Sequence, residues 1–190
     1  MARRLRIHAE TLHDGSPASP QQGRVVEIAG DRIVAVGAGT VADADLSFPV
    51  VAPGFIDLQI NGGGGVLFND SPDPATLDRI AGAARRGGAA HVLPTFITAP
   101  DDAYLAAIRA VAEATASGMP GILGLHLEGP FLSPDRPGIH DRTAIRPLTH
   151  ADVELLGAPR PFPLLVTLAP ERQPAGQLDR LAAAGVILFA

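Results

Sequence analysis

The sequence predicts an α/β fold: a (β/α)8 barrel of which about half is present, preceded by part of a small β-sandwich domain. Three observations predict it. Residues 1–48 carry short β-branched runs with a hairpin signal. From residue 49 to 190, apolar runs alternate with helical segments. Polar residues then collect at the ends of the apolar runs, where a barrel keeps its reactive groups.

In the first segment, Arg24 to Gly37 is two runs joined by Gly30-Asp31, as in a two-residue hairpin. Leu5 to His8 reads as a further strand. Gly15 to Gly23, rich in Pro, Ser and Gln, reads as the loop between them.

The later runs are Gly54–Ile60, His91–Thr98, Gly121–Leu127, Leu164–Ala169 and Val186–Phe189. Each is short, nearly continuous and bounded by Pro or Gly, the pattern of parallel strands buried on both faces. Helices are predicted over Thr76–Arg86, Asp101–Ser117 and Ala175–Ala184. The second has Leu105, Ile108, Val111 and Ala112 on one face, Asp101 or Asp102 as N-cap and Gly118 as stop. The third has Pro174 at its entrance, Leu178 and Leu181 on one face, and Gly185 closing it. Strand-then-helix repeats imply a parallel sheet with right-handed crossovers. An open doubly wound sheet fits the same count, and the strand-end motifs favour the barrel.

Composition narrows the function. The hydrophobic fraction of 46% supplies a packed core, and no apolar run approaches the roughly 20 residues of a membrane helix. The N-terminus lacks the apolar stretch of a signal peptide, which makes the cytoplasm the default compartment. Without cysteine there is no disulfide framework, Cys metal site or Cys nucleophile. A net charge of −5 argues against a nucleic-acid partner. All 15 basic residues are Arg, which suits phosphate recognition. Abundant Ala, Gly and Pro attribute that bias to base composition instead.

Three strand ends carry chemistry. In Asp57-Leu58-Gln59-Ile60-Asn61, alternation puts Asp57, Gln59 and Asn61 on one side. The glycines 62–65 that follow would let the backbone approach a ligand or a neighbouring loop, or would form a loose connector. In Gly124-Leu125-His126-Leu127-Glu128-Gly129-Pro130-Phe131, His126 and Glu128 face one way at the end of a buried strand. A carboxylate there must be paired, protonated or metal-bound, because bare burial is too costly. Thr167-Leu168-Ala169-Pro170-Glu171 ends on a carboxylate that suits a helix entrance or salt bridge as well as a functional role.

Taken together, Pro53–Gly62, Gly124–Leu132, Gly138-Ile139-His140 and Thr167–Glu171 resemble the N-acetylglucosamine-6-phosphate deacetylases, a family of amidohydrolases, from about residue 23 onward. The resemblance implies a barrel of the amidohydrolase type. It makes Glu128 the carboxylate ligand of the catalytic metal, and it brings Ile139 and His140 into contact with an amino-sugar phosphate substrate. Gln59 and Asn61 stand where many amidohydrolases have a His-x-His pair, which implies one divalent ion, zinc. The implied reaction is hydrolysis of N-acetylglucosamine 6-phosphate to glucosamine 6-phosphate and acetate by metal-activated water. A homodimer is implied for the complete enzyme, with no nucleic-acid or membrane partner.

In the family, a ligand His follows the strand that begins at Val186–Ala190. A second ligand His, the catalytic Asp and further phosphate-binding residues come later. None falls within these 190 residues, so the chain reads as truncated and inactive alone. Two other readings stand beside this one: a non-catalytic fragment or assembly partner, and another amidohydrolase such as a dihydroorotase-like enzyme. The latter is disfavoured by Gln59 and Asn61.

Overall fold

The computed structural model describes residues 4–190, which divide into two compact units after Gly54. The first unit is one four-stranded sheet made of β1 (Arg4–Leu12), β2 (Gln21–Ala29), β3 (Arg32–Ala38) and β4 (Leu46–Val51), in the order β3-β2-β1-β4. β2 and β3 pair antiparallel across the Gly30-Asp31 turn, with Ala29 opposite Arg32, as the hairpin signal predicts. Buried Ala9, Leu12 and Val26 form its small core, with Ile28 and Val51 packed on them. β2 begins at Gln21, inside the segment predicted as loop. β4, which pairs parallel with β1 and contains Pro49, is a strand beyond those expected from the sequence. β4 lies at the sheet edge, where a residue without an N–H leaves no ladder bond unmade.

The second unit is built on five parallel strands: β5 (Phe55–Ile60), β8 (Ala89–Ile97), β9 (Leu125–Glu128), β10 (Leu164–Thr167) and β11 (Ile187–Phe189). Their order across the sheet is their order along the chain. A doubly wound sheet reverses direction at a switch point, whereas a barrel adds strands in sequence. The sequential order therefore selects the half-barrel. Helices α1 (Pro74–Arg86), α2 (Tyr104–Ala116), α3 (His150–Leu156) and α4 (Gln177–Ala183) lie between the strands. Their apolar faces share one core with the sheet, including Leu77, Ile80, Val111, Leu127, Leu156 and Leu181.

Four local expectations need correction. Burial on both faces holds for β9, β10 and β8 from Val92 onward, but not for His91 on β8 or at the sheet edges: on β5, Phe55 is 74% exposed and Ile56 55%, and on β11, Ile187 and Phe189 are also exposed. Neither Asp101 nor Asp102 caps α2. Asp101 sits at φ 52, Asp102 faces Arg146, and the cap position is Ala103. The most buried face of α2 is Tyr104, Ala107, Ala110, Val111 and Ala114, while Leu105, Ile108 and Ala112 pack at its margin. Finally, α1 starts at Pro74 rather than Thr76, because the Asp73 side chain accepts from Thr76 N at 2.8 Å and Pro needs no N–H at the first position.

The glycine run is an ordered hairpin. β6 (Gly62–Gly63) pairs with β7 (Val66–Leu67), and Gly64 and Gly65 form the turn at φ 61 and 81. Two successive positive φ values are what a tight two-residue hairpin turn demands. A Cβ on Gly62 would lie 2.2 Å from the carbonyl oxygen of Val66, so close backbone approach is its function here. Among the described residues, no helix is long and apolar enough to cross a membrane.

Candidate active site

The polar groups converge at the C-terminal ends of the barrel strands. Glu128 is the last residue of β9, and Thr98 follows directly after β8. Gln59, on β5, reaches across β8: its Nε2 donates to Glu128 Oε2 at 3.0 Å. His140 comes from the loop after β9 and places Nε2 3.5 Å from Glu128 Oε1. The other ring nitrogen of His140, Nδ1, lies 2.9 Å from Thr98 Oγ1. The His140 side chain is 7% exposed and that of Glu128 23%, while Gln59 is exposed.

His126 does not pair with Glu128. Its Nδ1 lies 3.1 Å from Thr95 Oγ1 on β8, and its Nε2 2.8 Å from Thr167 Oγ1 on β10. The imidazole thus ties three adjacent strands one layer below the carboxylate. Burial pushes its pKa down, with the Glu128 charge opposing. The neutral ring suits two hydroxyl partners, which can each donate or accept as needed.

The remaining candidates separate. Ile139 is 88% exposed, beside His140 in the loop. The backbone carbonyl of Asn61 accepts from Phe68 N, which ties it to the glycine hairpin. Asp57 accepts from its own strand neighbour Gln59 N at 3.0 Å. Glu171 lies exposed in the first turn of a short 3-10 helix over Pro170–Arg172, the helix-entrance role. A cavity of about 670 Å³ beside the glycine hairpin, lined by Gly62, Gly65, Asp70, Asp73 and Arg79, contains none of Gln59, Glu128, His140 or Thr98.

A second polar cluster, which no local pattern in the sequence signals, anchors the loop bearing His140. Arg146 donates to both oxygens of buried Asp152, at 2.6 and 2.9 Å, and its guanidinium lies 5.3 Å from the centre of the Phe131 ring. Tyr104 Oη donates to Asp152 Oδ1 at 2.7 Å, and Thr149 completes the shell through its N–H and hydroxyl. Burial pushes the Asp152 carboxyl up, but hydrogen bonds from Arg146, Thr149 and Tyr104 outweigh it and hold the group well below the usual carboxylate range. Burial in turn raises the Tyr104 phenol, with Asp152 adding to the shift. In the sequence, an Arg six residues before an Asp reads as solvated charge.

A catalytic zinc takes three protein ligands plus water. Among the described residues, no group of three or more His, Cys, Asp or Glu side chains could hold a metal ion. The donors present offer one well-placed carboxylate, not a complete metal site.

No family model matches the chain. An N-acetylgalactosamine-6-phosphate deacetylase of Shewanella sp. is 41% identical over 143 residues, covering 75% of this chain and 36% of the relative. An N-acetylglucosamine-6-phosphate deacetylase of Haemophilus influenzae is 35% identical over 144 residues, covering 76% of this chain and 38% of the relative. Among solved structures, the N-acetyl-D-glucosamine-6-phosphate deacetylase of Mycobacterium smegmatis superposes over 97% of this chain and 53% of that one, with a TM-score of 0.83 and 32% identity. The chain thus spans little more than a third of the length of these curated relatives and about half of the solved one. In sequence and in fold, this chain corresponds to the N-terminal portion of the N-acetylglucosamine-6-phosphate deacetylases.

Proposed function

We propose that this chain contributes part of the active site of an N-acetylhexosamine-6-phosphate deacetylase. The reaction would convert N-acetylglucosamine 6-phosphate to glucosamine 6-phosphate and acetate. The observation that supports this reading is the convergence of Gln59 and His140 on the Glu128 carboxylate at the strand ends. In this reading Glu128 is one ligand of a single divalent ion, zinc. Gln59 fixes Oε2 and so orients the carboxylate. His140 and the exposed Ile139 form the side of the pocket that meets the sugar phosphate. The Arg146–Asp152 pair keeps that loop in place.

A second reading concerns the sugar epimer, because relatives at 41% and 37% identity are named N-acetylgalactosamine-6-phosphate deacetylases. Both readings are tested with a chimera in which this chain replaces the matching portion of the Haemophilus influenzae relative. Acetate release from N-acetylglucosamine 6-phosphate and from N-acetylgalactosamine 6-phosphate is then compared. Release from the first substrate in preference supports the proposal, and release from the second in preference supports the epimer. A folded chimera that releases acetate from neither contradicts both.

A further inference from the structure

Two side chains face the ring nitrogens of His140. On one side, Nε2 is 3.5 Å from Glu128 Oε1. An ionised carboxylate can only accept, so a bare nitrogen lone pair facing it is repelled and an N–H is favoured. On the other side, Nδ1 is 2.9 Å from Thr98 Oγ1, and the ring is almost fully shielded from solvent. A neutral imidazole has one donor and one acceptor. If Nε2 holds the proton, Nδ1 must accept, and the Thr98 hydroxyl is placed to donate to it.

The hydroxyl has one competing acceptor, the backbone carbonyl of Glu128 at 3.3 Å. That carbonyl already receives the Thr98 N–H at 2.9 Å. The histidine contact is the shorter one, and its acceptor has no other partner among the described residues. The chain also makes room for this arrangement. Gly129 sits at φ 85, and a Cβ there would come within 2.1 Å of Thr98 Oγ1. Only a residue without a side chain leaves the hydroxyl its place.

We infer that Thr98 is a positioning residue that holds His140 as its Nε2–H tautomer, so that the donor points toward Glu128 and the substrate side of the pocket. The partner of the second ring nitrogen commonly decides which nitrogen is protonated. The tautomer itself stands on geometry, while its use in binding a substrate rests on the proposed deacetylase reading.

The test is a long-range proton–nitrogen correlation spectrum of the ¹⁵N-labelled chain, recorded with the imidazole neutral. The His140 signals are identified by their loss in His140→Gln. Wild type and Thr98→Ser are expected to show a protonated Nε2 and a hydrogen-bonded, unprotonated Nδ1. In Thr98→Val, the Nδ1 resonance moves to the position of a free acceptor or the tautomer becomes mixed. A protonated Nδ1 in wild type overturns the inference, as does an unchanged Nδ1 resonance in Thr98→Val. In the chimera, Thr98→Val lowers kcat/KM and Thr98→Ser restores it. If the chimera is inactive while the spectra behave as stated, the deacetylase reading fails and the tautomer assignment stands.

Discussion

Gln59 and Glu128 lie 69 positions apart in the chain, yet the Gln59 amide donates to the Glu128 carboxylate at 3.0 Å. The bond passes over β8 and joins the first strand of the half-barrel to the third. It accounts for both the presence of an amide at this strand end and the fixed orientation of the carboxylate. In the chimera, Gln59→Leu is expected to cost about 10–100-fold in metal affinity or activity, the usual effect of losing a partner of a metal ligand. Metal titration with parallel acetate assays measures this. Unchanged values in both would mean that the bond does not orient Glu128.

His140 is expected to serve substrate rather than metal. His140→Ala in the chimera should lower kcat/KM while metal content stays constant. Elemental analysis beside steady-state kinetics separates the two roles. Loss of metal together with activity would make His140 a ligand, a role its 3.5 Å distance from Glu128 makes worth testing.

Much of this was legible in the sequence, and the limits of legibility have physical causes. The strand–helix alternation, the Gly30-Asp31 hairpin and the placement of Glu128 at a strand end all follow from local period and turn chemistry. β4 was hidden because Pro49 interrupts its pattern, and only its edge position makes Pro tolerable. The alternation placed His126 and Glu128 together, but the pattern of side-chain bonds depends on Thr95 and Thr167 on neighbouring strands. No local period reports such contacts. The same holds for Thr98 and His140, which lie 42 positions apart, and for Tyr104 and Asp152, 48 apart.

The Arg146–Asp152 pair should dominate the stability of the loop region. Asp152→Ala removes the acceptor from a largely buried Arg–Asp pair and is expected to cost roughly 3 kcal/mol, read by chemical denaturation. The pH dependence has a definite sign. Because the folded-state pKa of Asp152 is lowered, its contribution is full above the unfolded value near 3.8 and is lost as pH falls toward the folded value. Wild type should therefore lose stability below about pH 4 more steeply than Asp152→Ala. Parallel acid curves for the two proteins would contradict the assignment.

The 190-residue chain on its own is expected to release no acetate from N-acetylglucosamine 6-phosphate above background. The reason is the donor set: among the described residues no group of three or more His, Cys, Asp or Glu side chains could hold a metal ion, whereas a catalytic zinc takes three protein ligands. Enzyme-like turnover by this chain would show that other groups complete the site.

The most direct test of the account is the joint measurement of bound metal and acetate release in the chimera carrying Glu128→Gln. The substitution keeps the side-chain volume and removes the charge. If Glu128 is the carboxylate ligand, metal occupancy and deacetylation both fall steeply relative to the unsubstituted chimera. Full metal occupancy with unaltered acetate release would contradict the assignment of Glu128, and with it the site built around it.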